Sequence, residues 1–129
     1  MTKIMKNMTG MMIRHENLLQ ILEFPLFKPH KEILNFSSTR LGGVSKGEYE
    51  SLNLGEYCGD DDIAVSENRK RLCQALSVST LFAPNQVHES RILEIDDDFL
   101  SLHSEKQTEL LTGVDALITN RPNVCIAVT

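Results

Sequence analysis

Few side chains in this sequence are placed to do chemistry, and the first is a histidine. His88 closes the segment Asn85-Gln86-Val87-His88 at the end of a strand-like run. An imidazole there can bind a metal, move a proton or simply hydrogen-bond at the surface. Read from its neighbours alone, the surface role is the more ordinary one. Arg40 precedes Gly42-Gly43. A guanidinium fork beside a loop with free N–H groups suits an anion or a ribose, and it also suits a solvated strand end. Asn53 lies between Leu52 and Leu54. If the leucines point inward, Asn53 faces a substrate pocket or turns back to staple its own loop. His15, His30 and His103 sit in polar or terminal stretches and read as solvent-facing. Cys58, Cys73 and Cys125 are three in number and far apart. They have neither zinc-knuckle nor redox spacing, so a reducing, cytoplasmic setting fits them. The acidic runs at Asp60 and Asp96 lack the alternation of a calcium loop and read as a helix start and a turn.

The elements that must hold these residues follow from periodicity. Residues 1–12 carry all five methionines without an uninterrupted apolar stretch. They read as a disordered N-terminus rather than a signal peptide. Residues 13–129 read as one body. Apolar residues cluster over 18–27, where Pro25 and Pro29 limit any helix, so a short helix or turn followed by a strand is expected. A strand is expected over 33–38. Residues 39–59 are rich in Gly, Ser and Asn, with Tyr49, Leu52, Leu54 and Tyr57 as anchors, and read as an ordered loop. Asp60-Asp61-Asp62 opens a helix that buries Val65, Leu72, Cys73 and Leu76 and ends near Leu76. Strand-like runs follow at 81–88, broken by Pro84, and at 91–95. Residues 114–119 and 124–128 read as buried strands joined by a turn at 120–123. Asp115, just before the first of them, is placed to cap that region.

The totals bound the function. A chain of 129 residues is enough for one core, and 5% aromatics with no Trp make that core aliphatic. The net charge of −5 argues against nucleic acid or an anionic membrane as partner. No apolar run is long enough to span a bilayer. A small ligand of little or no charge is compatible with this balance.

Four segments in order are distinctive: Phe36-Ser37-Ser38-Thr39-Arg40-Leu41-Gly42-Gly43-Val44-Ser45, Ser51-Leu52-Asn53-Leu54-Gly55, Asn85-Gln86-Val87-His88 and Val114-Asp115-Ala116-Leu117-Ile118-Thr119-Asn120. Glu67-Asn68-Arg69 adds a weaker fifth. Together they resemble, over residues 33–129, the YfiH family. Its members are described both as laccase-like multicopper polyphenol oxidases and as purine nucleoside phosphorylases with adenosine deaminase activity. The resemblance implies an α/β fold of four layers, α/β/β/α, with mixed sheets, of which this chain holds about half. It implies a metal site of two His and one Cys, the first His being His88. The other two ligands would lie in Ala-Asp-Cys and His-Ala-Gly-Trp segments beyond Thr129, so Cys125 is not the family's Cys ligand.

The same resemblance implies zinc, with copper as the alternative. It implies purine nucleosides (adenosine, inosine, guanosine) and phosphate as partners; the candidates toward substrate remain Arg40 and Asn53, read from their own loop, where stapling is the more ordinary role for Asn53. The alternatives are a copper-dependent polyphenol oxidase, a peptidoglycan-editing role and a non-catalytic fragment. A chain holding one ligand of three is expected to be inactive and to bind zinc weakly. A strand of central character at the end of the sequence is expected to continue in the natural protein, or else to associate as a homo-oligomer through its edge.

Overall fold

The computed structural model describes the backbone of residues 3–6 and 10–129, and side chains from Gly10 onward. The chain forms two compact units, one ending at Ala75 and one running from Leu76 to Thr129.

The first unit is built on an antiparallel meander. Strands β1 (Lys3–Lys6), β2 (Met12–Glu16), β3 (Leu19–Glu23) and β4 (Phe36–Ser38) pair in sequence order. Within the segment expected to be disordered, residues 3–6 and 12 are strand. Residues 3–6 pair with 12–15, and the rest of residues 1–9 lies outside the described residues. The ladder supplies the reason: β1 finds backbone partners on β2 that a free terminus would lack. Glu16 pairs with Leu19 across a two-residue turn, where Asn17 takes a positive φ of 55°, a conformation Asn tolerates better than most residues. Leu19 and Ile21 are buried, which is the period-two signature of a strand facing a core.

The order expected over 18–27 is reversed: the strand comes first. A 3₁₀ turn follows at Pro25–Phe27, with Pro25 at its start, where a missing N–H costs nothing. The strand expected over 33–38 shrinks to β4. The N–H groups of His30 and Ile33 are taken by successive turns onto Phe27 and His30, leaving Ile33 and Leu34 exposed.

Helix α1 (Asp62–Leu76) starts as its sequence demands. The Asp61 carboxylate accepts the Ala64 N–H at 2.9 Å, satisfying one orphan donor of the first turn. The buried stripe is Val65, Asn68, Leu72 and Leu76, a three-four spacing with an amide in the middle. Cys73, expected on this face, is only half-buried.

The second unit pairs its strands in parallel. β5 (Thr80–Phe82) lies beside β8 (Val124–Ile126), and β6 (Ile92–Glu94) beside β7 (Ala116–Ile118). Parallel neighbours need a crossover, and part of it is helical: α2 (Asp97–Leu100) and α3 (Ser104–Leu111). Neither helix was expected from the polar stretch that forms them. Asp96, expected in a turn, is the N-cap of α2 and accepts the Phe99 N–H at 2.9 Å. Phe82, Ile95, Phe99 and Leu111 form the core, with the two phenylalanine rings edge to face at 5.2 Å. β7 and β8, expected to be buried, are half-buried, and Ile118 is exposed. The architecture is mixed α/β, as the sequence implied.

Candidate functional site

His88 sits on a turn that the chain builds deliberately. After β5 the backbone of Asn85 is tied to the α3–β7 connection: its N–H donates to Leu111 O at 3.0 Å and its carbonyl accepts from Gly113 at 3.0 Å. The Gln86 amide donates to Asp115 O at 3.1 Å. Beyond this the Asp115 carboxylate takes over. Oδ1 accepts the N–H groups of Val87 at 2.9 Å and His88 at 2.6 Å, and Oδ2 accepts that of Glu89 at 2.8 Å. Three successive amides converging on one anion make a nest, here filled by the protein's own side chain. Asp115 is itself anchored by its N–H to Arg91 O at 2.9 Å.

The turn holds His88 at a positive φ of 61°. For a residue with a Cβ this backbone costs about 1–2 kcal/mol, so neighbouring bonds must maintain it. Val87, His88 and Glu89 are exposed. The turn thus fixes the His88 backbone while its imidazole faces solvent. Partial burial pushes the Asp115 carboxyl upward, but the bonds from Glu89, His88 and Val87, with the His88 charge, outweigh this and hold it below the usual carboxylate range. Asp115 is a cap, as its position suggested.

In the first unit, Arg40 and Asn53 belong to one loop. The Arg40 guanidinium donates to Glu50 O, from Nε at 2.7 Å and also from Nη2. The Arg40 carbonyl accepts the N–H groups of Ser51 at 3.1 Å and Leu52 at 2.8 Å. Both ends of Arg40 therefore clasp residues 50–52. Asn53 closes a local turn: Oδ1 accepts the Gly55 N–H at 3.1 Å, and Nδ2 donates to Asp60 Oδ2 at 2.9 Å and to Cys58 Sγ at 3.1 Å. This is the loop-stapling arrangement. Of the four expected anchors, Leu52 is buried, Tyr49 and Leu54 are half-buried and Tyr57 is exposed.

The loop's main fastening is Asn68, which is fully buried. Its Oδ1 accepts the Val44 N–H at 2.7 Å. Its Nδ2 donates to Ser45 Oγ and Asn53 O, each at 2.8 Å, and to Ser51 O at 3.2 Å. The Ser45 hydroxyl donates in turn to Asp60 Oδ2 at 2.6 Å. Hydrogen bonds from Ser45 and then Asn53, aided by the Asp61 N–H, draw the Asp60 carboxyl below its ordinary value against the upward push of burial. Gly43 lets the strands of the loop approach: a Cβ there would overlap Ser51 O and Leu52 Cα. Sequence reasoning singled out Asn68 only as a weak motif member. The usable signal was a polar residue in register with the apolar stripe of α1.

A metal centre needs converging donors. Among the described residues no group of three His, Cys, Asp or Glu side chains comes together. His88 suits one ligand of such a centre, with an exposed ring on a fixed backbone, and the described residues do not complete the set.

A family model described as multi-copper polyphenol oxidoreductase laccase matches residues 34–129. The chain belongs to this family. Within the laccase-like family, it is 37% identical over 112 residues to a protein of Bacteroides thetaiotaomicron named purine nucleoside phosphorylase, covering 85% of this chain and 42% of that protein. It is 32% identical over 113 residues to adenosine deaminase RL5 of an unknown prokaryotic organism, covering 86% of this chain and 43% of that protein. The crystal structure of YlmD from Geobacillus stearothermophilus is similar, with a TM-score of 0.66 at 27% identity, covering 88% of this chain and 42% of that one. The chain spans about two fifths of the length of these relatives. This is the family that the sequence motifs resemble, and the α/β fold is of its type. No described helix is long and apolar enough to cross a membrane.

Proposed function

We propose that the whole protein is a zinc-dependent purine nucleoside phosphorylase that also deaminates adenosine, and that residues 13–129 are the N-terminal part of its single domain. The observation that carries this reading is the Val87–Glu89 turn: the Asp115 carboxylate fixes the backbone on which His88 stands exposed. The names of relatives that match most of this chain supply the reaction class. In phosphorolysis a phosphate oxygen attacks the ribose C1′ of adenosine, inosine or guanosine, the glycosidic bond breaks, and the purine leaves with its bonding electrons. Arg40 is assigned to the anion or ribose and Asn53 to the substrate side of its loop. Both also hold that loop, and Arg40 remains exposed.

His88 is assigned as one metal ligand. A bound zinc ion would supply Lewis acidity and water of lowered pKa. This chain completes no donor set among its described residues, and the 129-residue chain by itself is expected to be inactive.

Two other readings remain to be separated. The family description favours a copper-dependent polyphenol oxidase. The other is a non-catalytic module. One set of assays separates them, run on this chain and on a version spanning the relatives' full length. It measures phosphate-dependent release of base from inosine, ammonia release from adenosine, oxygen uptake with a phenol, and metal content by mass spectrometry. The proposal expects the first two activities with zinc in the long version. Oxygen uptake with copper alone would replace it with the oxidase, and inactivity of both versions would favour the module.

A further inference from the structure

We propose that Asp115 is a positioning residue for His88, using both carboxylate oxygens to impose the left-handed backbone from which the imidazole is presented. The role in metal binding rests on the reading of His88 as a ligand; the turn itself does not. The geometry is specific. Oδ1 serves Val87 and His88, and Oδ2 serves Glu89. Neither oxygen alone spans the three amides. Asp115 stands immediately before Ala116, the first residue of β7, and its own N–H is bound to Arg91 O. Its place is therefore set by backbone pairing with the β6 side, and it transmits that place to a turn that belongs to no strand.

Without the carboxylate the three N–H groups lose their shared acceptor, and His88 has no reason to keep φ at 61°. An exposed turn then returns to the ordinary right-handed or extended regions, which swings the ring. A group that orients a ligand without touching the metal commonly changes metal affinity by about 10–100-fold.

Two variants make the idea specific. Asp115→Ala removes all three acceptor contacts. Asp115→Asn keeps one oxygen: with Oδ1 retained, Val87 and His88 stay bonded, while an NH2 group now faces the Glu89 N–H. Amide hydrogen exchange by NMR on a version spanning the relatives' full length reads each site separately. In Asp115→Ala the amides of Val87, His88 and Glu89 should exchange at least about tenfold faster, with the core amide of Ile95 as an unchanged control. In Asp115→Asn only Glu89 should do so. Unchanged exchange in both variants overturns the proposal, as does uniform acceleration that includes Ile95, since that marks general unfolding.

A second arm titrates zinc into a version of the relatives' full length. Asp115→Ala should weaken zinc binding about 10–100-fold while its own melting temperature stays near that of the wild type, and Asp115→Asn, which keeps the His88 bond, should weaken it less. If Asp115→Ala frees the amides and leaves zinc affinity unchanged while His88→Ala abolishes it, the positioning role fails and the ligand reading survives. If His88→Ala leaves zinc binding intact, the ligand reading fails, and the metal role of Asp115 falls with it.

Discussion

Replacing Asn68 should loosen the 39–59 loop more than any comparable change on the exposed side of α1. The side chain is fully buried. It accepts one hydrogen bond, from Val44, and donates two short ones, to Ser45 and Asn53, with Ser51 O sharing at longer range. Counting three full bonds at about 1 kcal/mol each, Asn68→Ala should cost about 3 kcal/mol, and more if the Val44 N–H and the two carbonyls find no water. Asn68→Asp has nearly the same shape and should be worse. Its Oδ1 can still accept from Val44, but the second oxygen faces Asn53 O, Ser51 O and a Ser45 hydroxyl that already donates to Asp60. Urea unfolding at neutral pH measures both. With a slope of about 1–3 kcal/mol/M, the alanine midpoint should fall by about 1–3 M. A fall equivalent to under about 0.5 kcal/mol, the range of ordinary surface changes, would refute the reasoning. So would an aspartate variant milder than the alanine.

Three further outcomes follow from the same structure. Gly43→Ala places a Cβ against Ser51 O and Leu52 Cα, whereas Gly47→Ala meets open space and bears only its positive φ of 62°; thermal melts should show the first clearly more destabilised than the second, which should lose about 1 kcal/mol. Phe99→Ala removes a buried ring edge to face with Phe82 and should cost the second unit about 3–5 kcal/mol by denaturant titration. The Asp60 carboxyl is held below its ordinary value of 3.8, so its contribution is fully present above that value and is lost as pH falls through the lower folded value; between pH 5 and pH 3 the wild-type urea midpoint should drop more than that of Asp60→Asn, and parallel curves would count against it.

The sequence made some of this legible and hid the rest for physical reasons. α1 was readable because Asp61 caps it and its apolar residues recur at helical spacing, signals that are local. The 39–59 loop was readable as ordered from its glycines and scattered leucines. α2 and α3 were not readable, because their apolar residues are few and α3 shows a mostly polar face. The reversal over 18–27 went unseen because a short apolar run with two prolines fits either order; only the ladder between β2 and β3 decides it. His88 was singled out through its motif. The grip of Asp115 on the His88 turn was not, since it joins residues 26–28 positions apart. Arg40 and Asn53 were legible as loop residues, but the atoms they clasp lie 2–12 residues away along the chain, pairings that residue type alone does not reveal.

His88 is proposed to stand in the metal site of a purine nucleoside phosphorylase. The most direct test is phosphate-dependent release of hypoxanthine from inosine, measured for wild type and His88→Ala in a version spanning the relatives' full length. Phosphate-dependent turnover is expected in the wild type and none above background in His88→Ala, with both folded to the same melting temperature. Turnover by His88→Ala at the wild-type rate would contradict it.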